Sequence, residues 1–385
     1  MFDFIAWLFA NVYWLLTYVV PFLAVLTVIV FVHEMGHYLV ARWNGIAIQT
    51  FSIGFGRELI GWNDKQGTRW RISAIPLGGY VRFVGDMDAA STPDTKAIAE
   101  ADPELAPRLF ANKNVWQRIS VVVAGPVANV ILTFVILYAL LLGYGRYTIP
   151  PVVGAVIAGS PAAEAGLTPG DIIVSVDGYA VRGFEDFQRL VATSPERPVT
   201  VMLDRGDATE TLVLVPEAVE IDDQFGNRQR IGRIGVSRDV EQTDVTLYRP
   251  GPIEAIGMTS EEIRFIVQRT AAFLGDFFVG RGDVEQLGGP VKVAKVSGEV
   301  ATLGIVALIN LTALLSLNIG IFNLLPVPML DGGHLMYYLI EAVRGRPLRI
   351  KIQEIGFRIG FALVLSLMVF TLFNDTLFAH LGILR

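Results

Sequence analysis

Four long apolar segments constrain the fold of this chain more than any other feature. They run from about residue 15 to 41, 119 to 142, 303 to 325 and 355 to 373. Each is long enough, and poor enough in charge, to cross a lipid bilayer as a helix. The mean hydropathy of +0.50 and the 18% share of charged residues agree with this interpretation. We therefore expect a polytopic α-helical membrane protein with four transmembrane helices.

Positive charge in the loops predicts the orientation. Lys and Arg are frequent between the first two apolar segments, and a second group follows the third segment at Arg344, Arg346, Arg349 and Lys351. Cytoplasmic loops carry such charges, so both loops are predicted to be cytoplasmic. Both termini and the long segment from residue 145 to 300 then lie outside the cytoplasm.

Composition excludes several classes of site. The chain has no cysteine, so neither disulfides nor thiolate zinc sites are available, and a metal must be held by His, Asp or Glu. Imidazole ligands can come from His33, His37, His334 and His380. The net charge of -6 offers no basic surface, which argues against nucleic acid as a partner.

The first apolar segment contains the sequence HEMGH, residues 33 to 37. On a helix, His33 and His37 share one face, so two imidazoles can bind one metal ion. Glu34 lies beside the first histidine, where it can accept a proton from water at the metal, as in zinc peptidases. A chance pair of core histidines is the alternative. A charged side chain within a membrane helix costs roughly 2.5 to 3.5 kcal/mol, which favours the metal site.

A catalytic zinc site usually has three protein ligands, so one more is needed. Asp331 and His334 follow the third apolar segment, directly after the sequence LLPVPML. The two prolines and the pair Gly332 and Gly333 allow a sharp turn that directs the Asp331 carboxylate inward. Asp331 could also serve as the N-cap of a following helix. On the predicted topology both motifs approach the cytoplasmic face of the membrane.

Together these motifs resemble the site-2 protease family of intramembrane zinc metalloproteases. More specifically, they resemble the bacterial regulator-of-sigma-E protease type, which acts in the bacterial cytoplasmic (inner) membrane and carries extracytoplasmic PDZ domains. The resemblance rests on HEMGH, on NLLPVPMLDG at residues 323 to 332, and on GPVAN at residues 125 to 129. It implies Zn2+ as cofactor, with the zinc ligands His33, His37 and Asp331, the catalytic base Glu34, and the substrate-positioning residues Asn323 and Asn129.

The loop after the first apolar segment is predicted to form a membrane-associated β-hairpin. Residues 51 to 83 contain two strand-like runs around the turn sequence NDKQGT. The family resemblance implies that its edge pairs with an extended substrate segment. The alternative is a hairpin that only seals the cavity. Residues 86 to 112, rich in Ala, Asp, Pro and Glu, are predicted to be a mobile linker.

The long extracytoplasmic segment is predicted to hold one PDZ domain, of α+β type. SPAAEAGLTPGDIIVSVDG, within residues 152 to 181, resembles the core of bacterial protease PDZ domains. A helix at 184 to 193 and strands near 198 to 204, 210 to 216 and 231 to 236 complete it. Whether the domain captures peptides or excludes bulky substrates stays open. Residues 252 to 280 are predicted to form an amphipathic helix at the membrane surface.

The expected domains are a membrane core in residues 1 to 144 and 301 to 385, the PDZ domain in 150 to 240, and the amphipathic helix with its connector in 241 to 300. The expected function is zinc-dependent cleavage of single-span membrane proteins, either an anti-sigma factor or signal peptide remnants, within the lipid bilayer. A metal transporter and a catalytically silent PDZ scaffold are the alternatives. No internal repeat supports the transporter, and the intact Glu34 argues against the scaffold. His334 and His380 are predicted not to bind the metal.

Overall fold

The computed structural model describes residues 12, 14–87, 98, 100, 102–206, 208–222, 228–238, 245–278 and 289–381. Chain contacts divide the protein into two compact units. The first comprises Met1–Leu137 and Leu287–Leu377, and the second comprises Tyr138–Gln286 and Phe378–Arg385. The motifs HEMGH, GPVAN and NLLPVPMLDG all belong to the first unit, and the PDZ-like sequence belongs to the second.

The first apolar segment forms one long helix. After a π-helical turn at Leu15–Val19, helix α1 covers Val20–Trp43 and carries both histidines of HEMGH. Pro21 lies in the first turn of the α-helix, where the missing N–H leaves no helical hydrogen bond unmade. The chain leaves the helix at Asn44 and Gly45 and enters the hairpin.

The predicted β-hairpin is confirmed by strands β1 (Ile48–Asn63) and β2 (Arg69–Phe83). Next to the turn, Asn63 pairs with Arg69, and at the far end Ile48 pairs with Phe83. Residues 50 to 53 pair with residues 69 to 72 on one side and with residues 79 to 82 on the other. The last part of β2 is therefore an edge of the sheet among the described residues.

The predicted linker is wrong in its second half, because residues 106 to 112 are folded. Two 3-10 turns, Ala106–Arg108 and Phe110–Asn112, precede the second long helix. Leu109 and Phe110 are buried, and the Phe110 ring stacks on Phe83 at 4.7 Å between centroids. The apolar pair fixes this part of the loop to the hairpin. Residues 88 to 97 of the predicted linker lie outside the described residues.

Helix α2 (Val115–Tyr144) contains the GPVAN motif, with Pro126 inside the helix. The second unit follows with a β-rich module, residues 146 to 248. Its two helices are α3 (Pro161–Glu164) and α4 (Phe184–Ala192). Its strands are β3 (Arg146–Thr148), β4 (Val153–Val156), β5 (Ile172–Val176), β6 (Tyr179–Ala180), β7 (Val199–Arg205), β8 (Ala208–Leu214), β9 (Glu217–Asp222), β10 (Arg228–Arg233), β11 (Val236–Arg238) and β12 (Thr246–Tyr248).

One antiparallel sheet, in the order β6-β5-β7-β8, forms the centre of the module. Val176, Val201 and Leu203 on its inner face are fully buried against Phe187 and Leu190 of α4. The other strands pair as β3 with β12, β4 with β11 and β9 with β10. The predicted helix and the strands near 198 to 204 and 210 to 216 are confirmed. The predicted strand at 231 to 236 is divided between β10 and β11.

Helix α5 (Pro252–Phe278) confirms the predicted amphipathic helix, and the module covers its apolar face. Phe265 is buried in the core of the module. Two ion pairs join the same surfaces, at 2.8 Å between Arg182 and Glu261 and at 2.5 Å between Arg189 and Glu262. Contact with protein therefore accounts for the helical spacing of the apolar residues. The location of α5 at a membrane surface stays a prediction.

The remaining helices belong mainly to the first unit: α6 (Pro290–Thr302), α7 (Ile305–Asn323), α8 (Asp331–Arg344) and α9 (Ile350–Leu381). Within the described residues, four helices are long and apolar enough to cross a membrane, namely Leu15–Trp43, Val115–Tyr144, Ile305–Asn323 and Lys351–Leu372. Each overlaps one of the apolar segments, so the prediction that these segments are helical is confirmed. The chain is a multi-pass membrane protein by this criterion.

Candidate metal centre

Helix α1 presents both histidines of HEMGH on one face, as the i and i+4 spacing requires. His33 is buried, and its Nε2 lies 3.2 Å from Nε2 of His37. In a neutral imidazole one ring nitrogen carries the proton and the other has a free lone pair. The two Nε2 atoms therefore point to a common position that suits a cation.

Asp331 completes the group from the start of helix α8. Its Oδ2 lies 3.1 Å from Nε2 of His33 and 3.5 Å from Nε2 of His37. The helix begins at Asp331 itself, and the preceding Leu330 occupies the N-cap position, so the predicted alternative of Asp331 as the cap is wrong. Gly332 makes the turn possible, since a Cβ there would lie 2.1 Å from the carbonyl oxygen of Leu325.

The spacing of the three atoms suits zinc. Ligands held at about 2.0 to 2.1 Å around a tetrahedral zinc ion lie roughly 3.3 Å from one another. The observed separations of 3.1, 3.2 and 3.5 Å lie within about 0.2 Å of that value. Asp331 Oδ2 is also buried and accepts no hydrogen bond from the described part of the chain, so a bound cation would supply its missing partner. Within the described residues, His33, His37 and Asp331 are the group whose ligand atoms lie close enough to share an ion.

Helix α2 lies directly behind the histidines. The Val121 carbonyl oxygen lies 2.8 Å from Nδ1 of His37, so Nδ1 donates its proton there and Nε2 keeps its lone pair. A Cβ at position 125 would lie 2.2 Å from Nε2 of His37 and 2.8 Å from Nε2 of His33. Only glycine leaves room for both imidazoles, which explains why position 125 of the GPVAN motif is a glycine.

Asn129, the last residue of that motif, is fully buried. Its Nδ2 lies 3.3 Å from Nδ1 of His33, and its Oδ1 has no hydrogen-bond partner among the residues that the structure describes. The cavity described below is lined by other residues. The predicted role of Asn129 in positioning substrate stays a prediction, and the structure offers it no surface for direct contact.

A cavity of about 420 Å3 opens at the three ligand atoms. Glu34, Asn323 and His334 line it, together with residues 78 to 81 of the β2 edge. Asn323 Nδ2 lies 3.5 Å from Nε2 of His33. His334 faces the cavity without joining the group of ligand atoms, which favours Asp331 over His334 as the third ligand. The side chain of His380 lies outside the described part of the chain.

The hairpin turn is tied to the C-terminal end of α1 by the Asp64 carboxylate. Asp64 accepts hydrogen bonds from the Tyr38 hydroxyl at 2.9 Å, from Arg42 at 3.0 Å and from the Trp70 indole at 3.2 Å. The backbone N–H of Thr68 donates to the same carboxylate at 2.9 Å. Burial raises the Asp64 pKa, but these donors outweigh it and hold that pKa well below its usual range.

Helix α8 is tied to α2 by a second polar contact. Arg118 Nη2 lies 2.5 Å from Oε1 of Glu341, and both side chains are largely buried. The Arg118 guanidinium also lies over the Tyr338 ring, at 4.7 Å from its centroid. Because Asp331 is the first residue of α8, this contact helps fix the third ligand relative to the helix behind the histidines.

Comparisons with known proteins agree with this geometry. Residues 21–367 match the model of peptidase family M50. The chain belongs to peptidase family M50. A candidate zinc metalloprotease of Rhizobium meliloti is 47% identical over 361 residues, which cover 94% of this chain and 96% of that protein. Metalloprotease MmpA of Caulobacter vibrioides is 39% identical over 379 residues, covering 92% of this chain and 94% of that protein. The M50 protein is therefore a zinc metalloprotease.

One solved structure similar to part of the M50 chain is the PDZ domain of an SdrC-like protein from Listeria monocytogenes. It shares 25% identity, covers 22% of this chain and 83% of that domain, and has a TM-score of 0.18.

Two residues of the M50 site were not predicted from the sequence. Val121 contacts His37 through its backbone carbonyl, and the residue type does not predict such a contact. Phe110 lines the cavity, although its surroundings have the composition of a linker. The only available signal was the apolar pair Leu109 and Phe110 inside an otherwise polar stretch.

Proposed function

We propose that this M50 metalloprotease is an intramembrane endopeptidase that cleaves within the transmembrane segments of single-span proteins. The observation that carries the proposal is the location of His33, His37 and Asp331. The two histidines lie within an apolar helix of spanning length, and Asp331 follows another. A charged group at membrane depth is costly, so an open polar cavity there argues for chemistry inside the bilayer.

His33, His37 and Asp331 would hold the zinc ion. When bound, zinc would polarise the scissile carbonyl and lower the pKa of water to about 7. Glu34 lines the same cavity and is the carboxylate next to the ligands, so it would accept the proton of the attacking water and return it to the leaving amine. Asn323, close to His33, would donate a hydrogen bond to the substrate carbonyl.

The edge of strand β2 would hold the substrate in extended form. Residues 79 to 83 pair with β1 on one side, and residues 78 to 81 line the cavity. A substrate strand added to this edge would gain backbone hydrogen bonds that compensate for those lost when its helix unwinds. Exposed apolar side chains on the hairpin, including Leu59, Ile60 and Leu77, support contact with lipid.

The orientation that we propose places the metal centre toward the cytoplasm of a bacterial inner membrane. Trp43 and Trp116 are highly exposed at the ends of α1 and α2, beside Arg42 and Lys113. Tryptophan is enriched where a helix leaves the bilayer on either side, and Lys and Arg are enriched on the cytoplasmic side. The termini and the β-rich module would then lie outside the cytoplasm.

The β-rich module would act as a PDZ domain that controls access of substrate. Its sequence SPAAEAGLTPGDIIVSVDG and its antiparallel sheet packed against helix α4 support this assignment. The proposed substrates are an anti-sigma factor trimmed by another protease, or remnants of signal peptides. Both have a single span and a small extracytoplasmic part, which either a peptide-binding groove or a size filter would accept.

The test is cleavage of a fluorescent single-span substrate by the purified, zinc-loaded protein in detergent, with mass spectrometry to locate the cut. Wild type should cut within the apolar segment, and Glu34→Gln should not. Glu104→Gln, an exposed carboxylate change, is the matched control and should cut like wild type. Cuts only outside the apolar segment would refute intramembrane cleavage. Zinc uptake into vesicles without any cleavage would favour a transporter, and peptide capture that needs no metal would favour a scaffold.

A further inference from the structure

The side chain of Asn129 contacts a metal ligand and is shielded from the cavity. It is fully buried in α2, with Nδ2 placed 3.3 Å from Nδ1 of His33. Hydroxyl groups of Thr133 and Ser316 donate to its backbone carbonyl at 3.0 and 3.1 Å, which fixes the position of the residue. The side-chain Oδ1 is a buried acceptor without a partner. An unsatisfied buried amide oxygen is uncommon and calls for a physical reason.

The chemistry of His33 supplies that reason. Its Nε2 faces Asp331 Oδ2 and the other histidine, so Nε2 is the atom with the free lone pair. The proton of the neutral ring must then be on Nδ1, which makes Nδ1 a hydrogen-bond donor. The nearest group is the Asn129 Nδ2, which is a donor as well. Two donors facing each other at 3.3 Å form no hydrogen bond.

We propose that Asn129 is a positioning residue for the metal ligand His33, with its amide rotated so that Oδ1 accepts the hydrogen of Nδ1. The amide oxygen and nitrogen have almost the same shape, so the rotation moves no other atom. It replaces a contact between two donors by a hydrogen bond and gives Oδ1 its partner. The inference rests on the proposed metal site.

The second histidine is held in the same way by the same helix. His37 Nδ1 lies 2.8 Å from the Val121 carbonyl oxygen, two helical turns before Asn129. Histidines that bind metals almost always donate their other ring N–H to such an acceptor, which fixes the tautomer and the ring orientation. Helix α2 thus holds both imidazoles, one through its backbone and the other through the Asn129 side chain.

The test compares zinc affinity in full-length protein in detergent, measured by competition with a chelator in the Glu34→Gln background. Asn129→Leu keeps the size of the side chain and removes the acceptor, so zinc should bind about 10- to 100-fold more weakly. Asn129→Asp keeps an acceptor and should bind within about threefold of the parent. Co2+ loaded in place of zinc should lose its tetrahedral absorption bands only in Asn129→Leu.

Thr312→Val is the matched control, because it removes a buried hydroxyl that donates within helix α7, at 2.8 Å to the Leu308 carbonyl. It should bind zinc like the parent protein, and its thermal unfolding reports the general cost of losing a buried polar group. Equal zinc affinity in Asn129→Leu and the parent would overturn the proposal, and so would equal loss in the Leu and Asp variants. Absence of zinc binding in the parent would instead refute the metal site itself.

Discussion

Gly125→Ala should destroy the metal site while leaving the fold in place. The added Cβ would lie 2.2 Å from Nε2 of His37, and ordinary contact needs about 3.4 Å, so the ring must move by about 1 Å. Such a move also lengthens the bond to the Val121 carbonyl. Losing the hydrogen bond that orients a metal-binding histidine typically costs about 10- to 100-fold in metal affinity, and here the ligand atom itself is displaced as well. We therefore expect the zinc Kd to rise by about 100-fold, or about 2.8 kcal/mol.

The assay for Gly125→Ala is chelator competition with the purified protein, together with thermal unfolding. Gly143→Ala is the matched control, since it lies in the same helix and a Cβ there has nothing within 4 Å. The control should bind zinc like wild type, and its stability should change by less than about 1 kcal/mol. Zinc affinity of Gly125→Ala within about threefold of wild type would refute the placement of the two imidazoles.

Three further predictions concern the supports of the site and the β-rich module. Glu341→Gln should lower the unfolding free energy by about 3 kcal/mol, because it leaves Arg118 largely buried without its counter-charge; denaturant unfolding measures this, and no change would contradict it. Asp64→Ala should raise KM for the substrate with zinc content unchanged. The hairpin would lose its hydrogen bonds to Tyr38 and Arg42 of α1, while the three metal ligands would keep their positions. An unchanged KM would contradict this prediction. Asp171→Asn should lower the melting temperature at pH 7. Burial raises the Asp171 pKa, but hydrogen bonds from Arg205 and Thr168 outweigh the effect of burial and lower that pKa below 3.8. The stability that these hydrogen bonds contribute is therefore present above pH 3.8 and is lost at lower pH. The difference from wild type should shrink in acid, and a difference independent of pH would contradict this.

The sequence was sufficient for the parts of the site that depend on side-chain type. His33 and His37 could be singled out because the i and i+4 spacing places them on one face of a helix, and Asp331 because it is an acidic residue directly after an apolar segment. The hairpin could be predicted from the two strand-like runs on either side of the turn sequence NDKQGT. The helical pattern of residues 252 to 280 also predicted α5 correctly.

Other parts depend on contacts that residue types do not encode. A carbonyl such as that of Val121 exists at every position, so only the structure shows which one holds a histidine. The residue type of Asn129 does not show whether its side chain contacts substrate or a metal ligand, and its full burial next to His33 was visible only in the structure. Phe110 was assigned to a linker because its neighbours are polar, although its own ring is buried. The apolar spacing of residues 252 to 280 predicted an amphipathic helix at a membrane surface, and only the structure shows that Phe265 of α5 packs into the core of the module.

The central claim is that His33, His37 and Asp331 hold one zinc ion, and that Glu34 acts beside it as the general base in peptide hydrolysis. The most direct measurement is zinc content by mass spectrometry together with cleavage of a single-span substrate, for wild type, Glu34→Gln and Asp331→Ala. Wild type should hold zinc and cleave, Glu34→Gln should hold zinc without cleaving, and Asp331→Ala should lose both. Full zinc content in Asp331→Ala, or cleavage by Glu34→Gln, would contradict the account.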